Sequence, residues 1–215
     1  MESYGNYPIF IDRQWSLDDL HVFPKAYEQV YYAYEALLPK PDQMIDQRIA
    51  RAFHAFPWRG GYSAVNFYNQ LKFATPKRER PTVRAIKYNS PGFIELSLNI
   101  SLALEIAAAV VTIAGSIGAC NKLYHQIYTD SQKRKLLSLD LRSREIELAN
   151  QELDFIIESN QKLSNLLQIT SPDAIEELSP HPLIAMKIML SVYRRSRILA
   201  EYQENGKVNL PTNDL

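Results

Sequence analysis

Hydrophobic and polar positions follow helical spacing over most of this 215-residue chain. Ser16, with Asp19 three residues later, predicts a helix start, and Pro24 predicts that a second helix begins there. From Pro24 onwards the apolar side chains recur at three- and four-residue steps, which is typical of a helix that buries one face: Tyr27, Tyr31, Tyr34 and Leu38. A further helix is predicted over about 42–56.

Two short segments, 8–12 and 81–88, are predicted as strands rather than helices. They would pair with each other in a two-stranded sheet, which is stable only when helices cover it. Residues 1–93 also hold 18 of the 23 aromatic residues of the chain. We therefore expect a small, aromatic-rich α+β domain at the start of the sequence.

Beyond residue 90 the pattern predicts long helices. Ser90-Pro91 is typical of a helix start. Apolar and small residues then recur in alternating three- and four-residue steps over 93–128 and again over 139–167, as in the contact seam of a coiled coil. Two adjacent seams predict an antiparallel helical hairpin, and a last helix is predicted over about 183–203. The expected fold class is mainly α, with three parts: an α+β domain over 1–90, the hairpin with the C-terminal helix over 91–205, and a loose tail over 206–215.

The predicted helix 93–120 is the most apolar part of the chain and contains no Lys, Arg or Pro. Small residues four positions apart would let another helix approach closely, in a membrane or in a protein: Ala103/Ala107, Ala114/Gly118 and Gly115/Ala119. Glu105 opposes insertion into lipid, at a cost of about 2.5–3.5 kcal/mol. The uncharged run 106–120 is also shorter than the roughly 20 residues that a bilayer needs. Burial in lipid, in a partner and in the helix's own domain all stay open.

The leading functional hypothesis is a non-catalytic scaffold protein that self-associates through helix 93–120. Close helix packing would form the interface, and two asparagines at core-type positions would fix its register and the number of copies. The predicted interface residues are Ile100, Ala103, Ala107, Val110, Ala114, Ile117, Gly118, Asn121 and Asn160. The alternative is a membrane-acting effector in which the same helix contacts the bilayer through 96–118, inserts and oligomerises.

One loop suggests a third hypothesis, an enzyme or a sensor of an anion or nucleotide. Two glycines before a helix expose backbone N–H groups, and a neighbouring arginine suits a phosphate or carboxylate. The residues concerned are His54, Arg59, Gly60, Gly61 and Ser63. The loop is not a P-loop, and a tight turn accounts for its glycines without any ligand. No catalytic residue is assigned, and the scattered histidines and single cysteine predict neither a metal site nor a cofactor.

Charge and cysteine content limit the expected partners and the expected cellular location. The 24 basic and 24 acidic residues balance, so a nucleic-acid partner is not expected. The expected assembly is a homo-oligomer formed through helix 93–120. Cys120 is the single cysteine, which fits a reducing compartment. The first ten residues, MESYGNYPIF, lack the layout of a signal peptide. A cytoplasmic location is therefore expected, with membrane attachment left open.

Overall fold

The computed structural model describes residues 4–40, 42–55, 61–139, 148–169, 172–179 and 181–213. The chain forms two compact units, each built from separate stretches of sequence. Unit 1 comprises 1–35, 75–117 and 194–215, and unit 2 comprises 36–74 and 118–193. The division predicted from sequence near residue 90 falls inside unit 1.

The fold is mainly α with a small antiparallel sheet, as the sequence predicted. The strands are β1 (Tyr4–Ile11), β2 (Thr82–Lys87), β3 (Gly92–Asn99) and β4 (Val208–Asn209). The helices are α1 (Leu17–Glu35), α2 (Gln43–Ala55), α3 (Gly61–Ala74), α4 (Ile100–Gly115), α5 (Ile117–Lys133), α6 (Asn150–Leu166), α7 (Pro172–Leu178) and α8 (Pro182–Glu204).

The sheet of unit 1 has the strand order β2-β3-β1-β4. The predicted pairing of 8–12 with 81–88 is wrong, because β3 lies between β1 and β2 and pairs with both. The predicted helix start near Ser90 is wrong as well, since residues 92–99 form β3. Its Ile94, Leu96 and Leu98 are buried and alternate with half-buried residues. This two-residue period is that of a strand with one face on a core.

Helix α1 covers one face of the sheet. Its start is the predicted capping box: Ser16 Oγ accepts from the Asp19 N–H at 3.1 Å, and Asp19 Oδ2 accepts from the Ser16 N–H at 2.7 Å. The predicted second helix start at Pro24 is wrong, because α1 runs through that proline. At the far end of β3, the Asn99 N–H donates to Tyr31 Oη at 3.3 Å and so ties strand to helix.

Helix α4 is the buried helix of unit 1, and it packs on α1. Asn99 caps it, with its side-chain oxygen accepting from the Leu102 N–H at 3.3 Å. It ends at Gly115, so the predicted continuous helix from 93 through 128 is interrupted twice, by β3 and at Ser116. Within the described residues no single helix has the length and hydropathy to cross a membrane. Helices α4 and α5 reach those values only as a pair.

The predicted loose tail is attached to unit 1 as far as the structure describes it. Val208 and Asn209 pair with β1 as β4, opposite Ile11 and Phe10. Tyr7 Oη donates to the Pro211 carbonyl at 2.7 Å. These contacts bury Val208 and Leu210.

Unit 2 contains α2, α3, α5, α6, α7 and the first half of α8. The predicted helix 139–167 corresponds to α6, which begins at Asn150, and residues 140–147 of that prediction lie outside the described residues. The Arg134 guanidinium lies 4.7 Å from the centre of the Phe155 ring, which brings the end of α5 beside the start of α6. On the other side, α5 packs on α8 through stacked Tyr124 and Tyr193 rings, 5.0 Å apart.

Candidate functional site

Part of the predicted self-association interface lies inside the molecule. Ala103, Ala107 and Val110 are fully buried in unit 1, where their small side chains let α4 pack closely. While the unit is folded these three side chains expose no surface to a second chain. Ile100, Ala114 and Ile117 are half-buried and Gly118 is exposed.

The two asparagines of the predicted interface have partners within unit 2. Asn121 Oδ1 accepts from the Tyr193 hydroxyl at 2.9 Å. Asn160 is buried and its Nδ2 donates to the Pro182 carbonyl at 3.1 Å. Both side chains therefore join helices of the same chain, although the buried Asn160 Oδ1 has no hydrogen-bond partner among the described residues.

The predicted anion loop cannot be assembled from the described residues. Arg59 and Gly60 lie outside them. Gly61 opens α3, Ser63 follows in its first turn, and His54 is exposed in the last turn of α2. The anion site stays a prediction. No group of three or more His, Cys, Asp or Glu in the described ranges could hold a metal ion.

Unit 1 contains a groove of about 540 Å³ between α1 and the sheet, called here the α1–β2 groove. Phe23 and Tyr27 of α1, with Ile9, Ile94 and Leu96 of the sheet, form a buried apolar floor. The walls and rim are more exposed and comprise Leu20, His21, Pro24, Lys25 and Glu28 of α1, and Pro81, Val83 and Ile86 on or beside β2. The lining is thus apolar with a few charged groups at its edge, as in many ligand sites.

Strand β2 forms one side of the groove and is the edge of the sheet. All six of its residues are exposed. Its inner edge pairs with β3, and within the described part of the chain no strand pairs with its outer edge. Such an edge presents unpaired backbone N–H and C=O groups, which can accept another strand. Val83 is 57% and Ile86 59% exposed, so the strand also presents apolar side chains to solvent.

A β-bulge explains why both large apolar residues of β2, Val83 and Ile86, face the groove. In a regular strand, residues three positions apart point to opposite faces. The register shifts between Val83 and Ala85, so Val83 lies opposite Leu96 and Ile86 opposite Ile94. Arg84 is the additional residue. The bulge therefore places both exposed side chains on the groove face of β2.

Hydrogen bonds hold both ends of β2 in place. Before the strand, Arg80 Nε donates to the Thr75 carbonyl at 3.0 Å. After it, the Trp15 N–H donates to Tyr88 Oη at 3.1 Å. Ser90 Oγ donates to Asp12 Oδ1, and this bond is the main cause that lowers the pKa of the Asp12 carboxyl. Because β2 is already held in an extended conformation, it loses little conformational entropy when it binds a partner strand.

The exposed charges on β2 and at the groove rim are mostly positive. Lys25, Arg84 and Lys87 are exposed, and none makes an ion pair with another described residue. Glu28 is the acidic residue of the lining. Just before β2, Arg78 pairs with Glu79 at 3.0 Å. The edge of β2 is therefore both apolar and basic.

No family model, curated protein or solved structure matches this chain. The candidate site is therefore inferred from its geometry alone. The sequence contained part of the signal: Ile94, Leu96 and Leu98 alternate with polar residues, which predicts a half-buried strand. No local sequence pattern predicts that β2 is exposed, because its exposure depends on its position at the edge of the sheet.

Proposed function

We propose that this protein is a non-catalytic interaction protein that binds an extended peptide segment of a partner by strand addition to β2. The observation that carries the proposal is the exposed, bulged edge strand beside an apolar groove. In strand addition, backbone hydrogen bonds provide affinity and alternate side chains of the peptide enter the groove. Leu20, Val83 and Ile86 are the exposed apolar side chains that the peptide would cover.

The expected affinity is moderate. Each backbone hydrogen bond contributes a net of about 0.5–1.5 kcal/mol. Covering apolar side chains adds about 25 cal/mol for each Å² removed from water. Ordering of a flexible peptide offsets much of this gain. We therefore expect a dissociation constant on the order of micromolar.

Self-association stays a prediction, but its proposed surface changes. Because Ala103, Ala107 and Val110 are packed inside unit 1, a second copy would have to use another surface. Size-exclusion chromatography with light scattering on the full chain tests it directly, and a mass above 24.7 kDa would support it.

The test of strand addition is a screen of a random octapeptide phage library against the full-length protein. Selected peptides are synthesised and their dissociation constants measured for the wild type and for Val83→Asp. The matched control is Val65→Asp, because Val65 is also an exposed valine, 44% accessible, and lies on α3. Placing a carboxylate in the apolar groove should weaken binding about tenfold or more, because the charge loses water when the peptide binds.

The proposal fails if the library yields no peptide that binds above a carrier-protein control. It also fails if the selected peptides bind Val83→Asp as tightly as they bind the wild type. Hydrogen exchange provides a second measurement: bound peptide should protect amides of β2, and protection confined to other strands or helices would contradict the proposal.

A further inference from the structure

We infer that the peptide bound at β2 belongs to another protein and alternates apolar residues with Asp or Glu. The inference rests on the proposed strand addition and specifies the chemistry of the partner. It follows from the different character of the two faces of β2 and from the charge along its exposed edge.

The two faces of β2 would contact alternate residues of an added strand. On the groove side, Val83 and Ile86 continue the apolar floor made by Leu96 and Ile94. An added strand would place every second side chain there, and apolar residues suit those positions. The side chains between them would lie on the other face of the sheet.

That other face is where Lys87 lies. Lys87 pairs in register with Phe93, one position on from the Ile86–Ile94 pair, and is therefore on the face away from α1. Opposite charges that face each other across adjacent strands are stabilising, and like charges are destabilising. An acidic residue in the added strand would therefore be favoured beside Lys87. Glu95, half-buried in register with Ala85, is the acidic residue on this face of β3.

Three further charged residues lie on β2 or at the groove rim. Arg84 at the bulge and Lys25 on α1 are exposed and make no ion pair within the described part of the chain, whereas Glu28 is the acidic residue of the groove lining. Lys25 and Glu28 offset each other in the groove lining, so the net positive charge lies along β2 itself, on Arg84 and Lys87. Such a field favours acidic segments and speeds their association.

The same charges argue against a second copy of this chain as the occupant. Pairing two β2 edges around a twofold axis would concentrate four basic side chains, Arg84 and Lys87 of each copy, on one short stretch of paired strands. No residue from Thr82 to Lys87 is acidic, so nothing on the strand would compensate the repulsion. Basic residues on an edge strand are a known way to prevent such pairing. An acidic partner, in contrast, would neutralise them.

Three fluorescein-labelled octapeptides test the inference by fluorescence anisotropy: alternating Val–Glu, alternating Val–Ser and alternating Val–Lys. The proteins are the wild type, Lys87→Glu and the control Lys122→Glu, which makes the same charge change at an exposed site on α5. The wild type should bind the three peptides in the order Glu, Ser, Lys. Exposed ion pairs contribute about 0.2–1 kcal/mol each, and reversal turns attraction into repulsion, so Lys87→Glu should bind the Val–Glu peptide about 2- to 30-fold more weakly.

The reciprocal change is the decisive result. Lys87→Glu should bind the Val–Lys peptide more tightly than the wild type does, while Lys122→Glu should leave all three constants unchanged. Higher salt should weaken Val–Glu binding and hardly change Val–Ser binding.

The outcomes separate this inference from the proposed function. If all three peptides bind equally and Lys87→Glu has no effect, the acidic partner is ruled out and strand addition stands. If no peptide binds and the phage library also yields none, both are overturned, and the basic residues only protect the edge. Light scattering that shows a dimer lost in Val83→Asp but not in Val65→Asp would replace the acidic partner with a second copy.

Discussion

Replacing Asp19 by asparagine tests which contacts hold the C-terminal segment against the rest of unit 1. The Asp19 carboxylate joins three parts of the chain. Its Oδ1 accepts from the Tyr202 hydroxyl at 2.7 Å, and its Oδ2 accepts from Lys207 Nζ at 2.9 Å and from the Ser16 N–H at 2.7 Å. Its side chain is only 14% exposed. The bond from Lys207, followed by the Ser16 N–H and Tyr202, lowers the pKa of Asp19 well below its usual value.

The expected loss on Asp19→Asn follows from these contacts. Hydrogen bonds to a charged group contribute about 1.5–3 kcal/mol, although the partial exposure of Lys207 weakens its share. An asparagine keeps one acceptor but turns an NH2 group towards donors that previously shared Oδ2. We therefore expect the free energy of unfolding to fall by about 1–3 kcal/mol.

Urea unfolding followed by tryptophan emission measures this loss, because Trp15 lies 5.7 Å from the Tyr202 ring. Asp18→Asn is the matched control. It removes the same charge from the same helix turn, where both carboxylates interact with the helix dipole, but Asp18 is exposed. Asp19→Asn should lower the urea midpoint clearly more than Asp18→Asn does.

The pH dependence provides an independent check. A carboxylate whose pKa is lowered in the folded state stabilises it at a pH above its unfolded value of about 4, and this contribution is lost as the pH falls further. The stability difference between wild type and Asp19→Asn should therefore be constant near neutral pH and shrink below about pH 4. Equal midpoints for both variants, or a difference that persists unchanged in acid, would refute the role of the ionised network.

Three further predictions concern the stability of the fold. Ala107→Leu should destabilise the fold by about 1–3 kcal/mol in urea unfolding, because Ala107 is fully buried, whereas Ala114→Leu at a half-buried site should cost less; equal losses would contradict this packing of α4. Gly92→Ala should lower the free energy of unfolding by about 2 kcal/mol or more and weaken peptide binding, because a methyl group there would clash with the backbone of the β2–β3 turn. An unchanged thermal unfolding temperature would contradict this prediction. Tyr193→Phe removes the hydrogen bond to Asn121 and should lower the free energy of unfolding by about 1 kcal/mol, also measured by thermal unfolding. A gain in stability would show that this hydrogen bond does not hold α5 to α8.

Local signals in the sequence were sufficient for the elements that local chemistry decides. The Ser16–Asp19 capping box, the buried stripe of α1 and the helical character of α8 follow from residues within a few positions of one another. The strands 8–12 and 81–88 were also located correctly, as parts of β1 and β2.

Elements that depend on distant partners could not be predicted in this way. The apolar residues of 93–99 fit both a helical spacing and a two-residue alternation. Only the pairing of this segment with β1 and β2 makes it a strand. Small residues such as Ala103 and Ala107 indicate close helix packing, but they do not identify the helix that approaches. The candidate groove was missed for the same reason, since it forms from three stretches of chain that meet only in the folded unit.

The pairing of β1 with β4 has a consequence for biosynthesis. Phe10 and Asn209 are partners in the sheet although they lie about 200 positions apart. At roughly 5–20 residues per second, a ribosome needs about 10–40 s to make the chain between them. During that time β1 can pair with β3 but not with β4, so the sheet of unit 1 is completed only after Asn209 has been synthesised. Slowing translation after residue 117 should therefore prolong the exposure of a second strand edge and increase aggregation of the nascent chain.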